Sequence, residues 1–144
     1  MNLQRIRHFG IVTEDMPSSL HFYRDVLGFK ICVEMQENSD FIDQVLALKN
    51  SSLNTIKLAA PDGQMIELLD FSSHRDMTVE RKIYTIGPTH LAIQVENLEQ
   101  LQRKLEECAV PCLSNPVVSP DNKVKLMFCR APEGTYIEIV EVLQ

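Results

Sequence analysis

The chain has 144 residues, 44% apolar and 24% charged, with 14 basic against 20 acidic side chains and a net charge of −6. These proportions are those of an ordinary globular domain and exclude a disordered or low-complexity chain. The acidic balance, with basic residues scattered singly, argues against nucleic acid or a membrane surface as a partner; no apolar run approaches the roughly 18 residues that span a bilayer, and the opening MNLQRIRHFG has no stretch suited to a signal peptide.

Arg5–Thr13 alternates polar and apolar residues and is rich in branched side chains, which predicts a strand. Asp15 is placed to cap the helix that follows, and Pro17 is tolerated in its first turn. Leu20, Tyr23, Val26 and Leu27 fall at helical spacing, and Gly28 is a natural stop. Phe29–Glu34 reads as a strand and Phe41–Leu48 as a short helix. Asn54–Ala60 and Gln64–Phe71 read as strands joined by the turn Pro61-Asp62-Gly63. Residues 73–88 are polar, end in Gly87-Pro88, and read as a linker. Beyond it, His90–Val95 reads as a strand, and Asn97 with Gln100 resembles a capping box for a helix carrying Leu98, Leu101 and Leu105 that closes at Pro111. Val117–Val118, Val124–Arg130 and Tyr136–Val142 read as further strands, the last two around Pro132-Glu133-Gly134.

The two halves repeat one another. Residues 60–71 (APDGQMIELLDF) match residues 131–142 (APEGTYIEIVEV), and His8-Phe-Gly-Ile-Val matches His90-Leu-Ala-Ile-Gln. Each half therefore opens with a histidine in an apolar run and closes with a glutamate in another. The histidine-to-glutamate spacing is 59 residues in the first half and 48 in the second, and the excess is expected within Glu34–Ser52. Both halves read βαβββ. The expected organisation is a single domain over 1–144, with a first module at 1–72 and a second at 89–144.

Strand alternation puts Glu67 on one face with Met65, Leu69 and Phe71, and Glu138 on one face with Tyr136, Val140 and Val142. A carboxylate among apolar neighbours is costly unless it meets solvent or a cation. No arginine recurs near both glutamates, but two histidines do. One divalent ion on His8, Glu67, His90 and Glu138 balances two carboxylates and two neutral imidazoles. Zn, Ni, Co, Mn and Fe(II) all suit that donor set. Arg7, Lys57, Lys125 and Arg130 lie on or beside strands; ordinary solvent-facing charge is the simplest reading of each, and contact with a substrate carboxylate or phosphate the alternative. Four cysteines, Cys32, Cys108, Cys112 and Cys129, complete no zinc pattern. They read as free, mostly buried thiols in a reducing, cytoplasmic compartment.

With His8-Phe-Gly-Ile, Phe22-Tyr23-Arg24-Asp25-Val26-Leu27-Gly28-Phe29, Pro61-Asp62-Gly63 with Ile66-Glu67-Leu68, Thr89-His90-Leu91-Ala92 and Pro132-Glu133-Gly134 with Ile137-Glu138, the chain resembles the vicinal oxygen chelate superfamily. This superfamily includes glyoxalase I, methylmalonyl-CoA epimerase, extradiol dioxygenases and bleomycin resistance proteins. The resemblance implies an α+β fold in which two βαβββ modules form an eight-stranded open cup around a metal, often as a homodimer. It implies metal ligands at His8, Glu67, His90 and Glu138, with Glu67 and Glu138 doubling as the acid/base pair. The substrate implied is a small molecule with adjacent oxygens. The reaction implied is that of a lyase or isomerase removing a proton α to a carbonyl, with the enediolate or enolate stabilised by the metal. An Fe(II) dioxygenase is one alternative; it calls for an added histidine near the substrate, and the two available, His21 in the first helix and His74 in the linker, read as surface residues. A non-catalytic binding or resistance protein is the other.

Overall fold

The computed structural model of the protein describes residues 2–143, which divide into two units at the boundary between Met77 and Thr78. No helix among the described residues is long and apolar enough to cross a membrane. The fold is α+β, with one four-stranded sheet in each unit.

The first unit runs β1 (Phe9–Val12), α1 (Met16–Leu20), a π-helical turn (His21–Val26), β2 (Lys30–Glu37), α2 (Asp40–Leu46), β3 (Leu53–Ala59) and β4 (Met65–Phe71). Its sheet has the order β1-β4-β3-β2, with β1 parallel to β4 and the other pairs antiparallel. β1 is shorter than the alternation predicts, so His8 immediately precedes the strand. β2 runs on to Glu37, and the extra helix α2 lies in the segment where the first half is longer.

Asp15 caps α1: its carboxylate accepts from the Ser18 backbone N–H at 3.0 Å and from the Ser18 hydroxyl at 2.7 Å. These bonds hold its carboxyl below the usual range. The helix then widens. The Leu27 N–H bonds the Phe22 carbonyl at 3.0 Å, five residues back, and this wider turn carries both Phe22 and Tyr23 inward. Simple helical spacing picks out Tyr23 and misses Phe22, although both are buried. Gly28, at φ +88°, ends the segment in a left-handed conformation that costs a residue with a Cβ about 1 kcal/mol or more. α1 packs on β4, and the buried side chains Ile66 and Leu68 of β4 join Ile56 and Leu58 of β3. Each such side chain contributes roughly 1.5–3 kcal/mol of burial.

The second unit runs β5 (His90–Val95), α3 (Leu98–Glu107), β6 (Val117–Val118), β7 (Val124–Arg130) and β8 (Tyr136–Val142), with the sheet order β5-β8-β7-β6 and β5 parallel to β8. Asn97 caps α3 by accepting from the Gln100 N–H at 2.8 Å. Leu98 and Leu105 of α3 are fully buried, as are Ile137 and Ile139 of β8. Glu141 accepts from the Leu98 N–H at 2.7 Å, satisfying another free donor at the start of α3. Lys125, opposite Glu141 in the sheet, pairs with both Glu141 and Glu99.

Only Cys129 of the four cysteines is buried, which corrects the expectation of mostly buried thiols. Cys32 sits at an irregularity in β2, Cys108 ends α3, and Cys112 makes an isolated backbone β-bridge to Cys129; all three are exposed and free. Burial pushes the Cys129 thiol up to about 12.

Candidate functional site

Equivalent strand registers build a histidine–glutamate couple in each unit. In the first, Gly10 of β1 lies opposite Glu67 of β4, and His8 stands two residues before Gly10. In the second, Ala92 of β5 lies opposite Glu138 of β8, and His90 stands two residues before Ala92. A two-residue step keeps a side chain on the same face of a strand. Each histidine is thus a diagonal neighbour of its glutamate, with only a hydrogen or a methyl group on the residue directly opposite. The small residue lets the imidazole lean across: His8 Nε2 is 2.9 Å from Glu67 Oε2, and His90 Nε2 is 3.3 Å from Glu138 Oε2. Both glutamates alternate with residues buried on the opposite, helix-covered face, and both stay partly open, with side chains 13% and 24% exposed.

The surroundings of the two couples differ. Lys57 of β3 lies directly opposite Glu67 and places Nζ 3.5 Å from Oε1, the oxygen that His8 leaves free. Sequence reasoning sought a recurring arginine and read Lys57 first as solvent-facing charge, with a substrate carboxylate or phosphate as the alternative, and did not pair it with Glu67. In the second unit Phe128 of β7 holds the corresponding place opposite Glu138. The rings of Phe128 and His90 meet edge to face, with centroids 5.4 Å apart. Thr89 Oγ1 is 2.9 Å from His90 Nδ1, a contact that fixes the ring with Nε2 toward Glu138.

The donor chemistry suits a divalent cation. Two ligands at right angles on one ion, each at roughly 2.1 Å, stand about 3 Å apart. The couples have 2.9 and 3.3 Å. Each couple offers one imidazole nitrogen and one carboxylate, and among the described residues no third His, Cys, Asp or Glu joins either in a group able to hold an ion. Two donors fall short of the four to six a divalent metal takes.

The family model described as Glyoxalase/Bleomycin resistance protein/Dioxygenase superfamily matches residues 5–139. The chain belongs to this superfamily. It is 27% identical over 143 residues to the uncharacterized protein YaeR of Escherichia coli, covering 98% of both chains. It is 23% identical over 139 residues to Glyoxylase I 4 of Arabidopsis thaliana, covering 96% of this chain and 71% of that protein. The structure matches that of a glyoxalase family protein from Bacillus cereus with a TM-score of 0.92 at 20% identity, over 100% of this chain and 97% of the other. The trypanothione-dependent glyoxalase I of Leishmania major matches with a TM-score of 0.68 at 21% identity, over 96% and 87% of the two chains. Glyoxalase superfamily members typically bind a divalent metal, take small-molecule substrates and often form dimers.

Other histidines and basic residues of this superfamily member lie outside the couples. His21 Nδ1 is 3.0 Å from the Asp25 carboxylate on an exposed helical face, and His74 Nδ1 is 2.8 Å from the Ser73 hydroxyl. Neither is part of the His8–Glu67 or His90–Glu138 arrangement. Arg7 is exposed. Arg130 covers the Tyr136 ring at 5.3 Å, and Lys125 is spent on Glu99 and Glu141. Lys57 is the basic residue of the four that touches a couple.

Proposed function

We propose that the protein is a metal-dependent lyase or isomerase of the glyoxalase or epimerase type, which removes a proton α to a carbonyl. In this reading His8, Glu67, His90 and Glu138 are the protein ligands of a divalent ion (Zn, Ni, Co, Mn or Fe(II)). The observation that carries it is the recurrence of the same couple at the same strand register in both modules, each with a glycine or alanine opposite the glutamate.

A bound divalent ion supplies Lewis-acid stabilisation of the negative charge that develops on a substrate oxygen when a proton leaves the adjacent carbon. The chain's own residues do the rest. His8 and His90 present Nε2, and the Thr89 hydroxyl accepts from Nδ1–H of His90 when Nε2 is engaged as a ligand. Glu67 and Glu138 each carry a second carboxylate oxygen to hold or move a proton, that of Glu67 beside the Lys57 ammonium. The half-open strand face gives a small substrate access to them. Free thiols suit a reducing cytoplasm, and a homodimer is the assembly common in the superfamily.

The test is elemental analysis of protein purified without chelators, together with proton–deuterium exchange at the carbon α to the carbonyl in hydroxyacetone. The expected result is one divalent ion per site and metal-dependent exchange. Glu138→Gln should abolish that exchange and leave the circular dichroism spectrum unchanged. Protein that takes up no metal, or a Glu138→Gln variant exchanging at the wild-type rate, overturns the reading.

A further inference from the structure

The two couples differ in charge. Both carboxylate oxygens of Glu67 are engaged, Oε2 by His8 and Oε1 by Lys57, whereas Glu138 faces a phenyl ring in place of the ammonium. Lys57 stands on β3, an inner strand, between Val33 of β2 and Glu67 of β4, and its side chain is only 27% exposed. An ammonium in such a place has lost much of its hydration and needs an anion. Glu67 is that anion in the free protein.

Charge arithmetic changes once the couples hold a dication. The ion cancels the two carboxylates, the imidazoles are neutral, and Lys57 remains as a single uncompensated positive charge. Among the described residues Glu67 is the carboxylate that pairs with Lys57, and Val33 and Met35, on the same sheet face, are apolar and exposed. A half-open apolar face with one charged group fixes the orientation of a ligand carrying the opposite charge.

We propose that Lys57 selects a substrate with one negative charge, a small α-hydroxy or α-keto carboxylate, over the neutral carbonyl compound of the same shape. This rests on the metal reading above and adds the substrate class to it. Phe128 gives the second couple no such preference.

The experiment loads the full chain with Co(II) and follows its visible spectrum during titration with lactate and, separately, with lactamide, its neutral analogue. Wild-type protein is expected to prefer lactate to lactamide by about tenfold more than the ion's own preference for a carboxylate supplies, the gain of a charge-assisted hydrogen bond. Lys57→Met should lose that tenfold gain and retain only the ion's own preference for a carboxylate, and Lys57→Arg should keep the gain. Equal preference in wild type and Lys57→Met, no lactate response in cobalt-loaded protein, or a loss in Lys57→Arg as complete as in Lys57→Met overturns the proposal. Failure to take up cobalt is a separate result, and it overturns the metal reading itself.

Discussion

Lys57 and Phe128 hold the same place in two equivalent hairpins, Lys57 opposite Glu67 and Phe128 opposite Glu138. The duplicated framework keeps both couples, and this one position separates them. It gives the first glutamate a cation and the second histidine a ring to rest on.

In the second couple the far side of the histidine is held by Thr89, and Thr89 is the residue to test it. Thr89→Val removes the oxygen beside His90 Nδ1 while keeping the branched shape needed before β5. Loss of such a supporting contact typically lowers metal affinity by roughly 10–100-fold. Competition with a coloured chelator should read that drop for Thr89→Val, and an unchanged affinity would remove Thr89 from the account.

The Glu99–Lys125–Glu141 group ties the sheet of the second unit to the start of α3, and its pH dependence has a definite sign. Hydrogen bonding to Glu99, and then to Glu141, raises the Lys125 ammonium above its ordinary 10.5. Its stabilisation is therefore complete below pH 10.5 and fades as pH rises through the higher folded value. The bond from Lys125 lowers Glu99 below its ordinary 4.5, so that partner contributes above pH 4.5 and is lost as pH falls through the folded value. The difference in Tm between wild type and Lys125→Met should be greatest between those limits and shrink at both ends. A difference independent of pH would mean that Lys125 acts through packing alone.

Glu141→Ala should cost about 1–2 kcal/mol, because it removes the acceptor for the Leu98 N–H at the first turn of α3. Urea unfolding followed by circular dichroism measures this. A midpoint equal to that of wild type would show that water takes over the bond.

Cysteine reactivity gives a check on burial. In native protein a thiol-directed alkylating reagent should modify Cys32, Cys108 and Cys112 and spare Cys129, whose thiol is both covered and held protonated to about pH 12. Mass spectrometry of the digested protein reads this directly, and labelling of Cys129 at the rate of Cys108 would contradict the packing of β7.

Much of the fold is legible in the sequence because its punctuation is local. Asp15, Gly28 and Asn97 act on the backbone within one helical turn, and each does what its chemistry predicts. Phe22 escapes the pattern because a π-helical turn shifts the inward face by one residue, which no fixed periodicity anticipates. The histidine–glutamate couples are visible through the repeat. Lys57 is not, because it occurs in one half only. The hairpin does hold the clue: Lys57 and Glu67 lie at equal distances from Asp62 at the turn, so their pairing follows from counting outward. Cysteine burial depends on which sheet edge and helix end each thiol reaches, and composition carries no such detail.

The parallel pairing of β1 with β4 and of β5 with β8 joins the opening strand of each module to its closing strand. Each couple therefore exists only once the chain between its members has closed on itself. Whatever the two side chains hold in common becomes a clasp across that closure, and its affinity adds by mass action to the work of unravelling the module from either end.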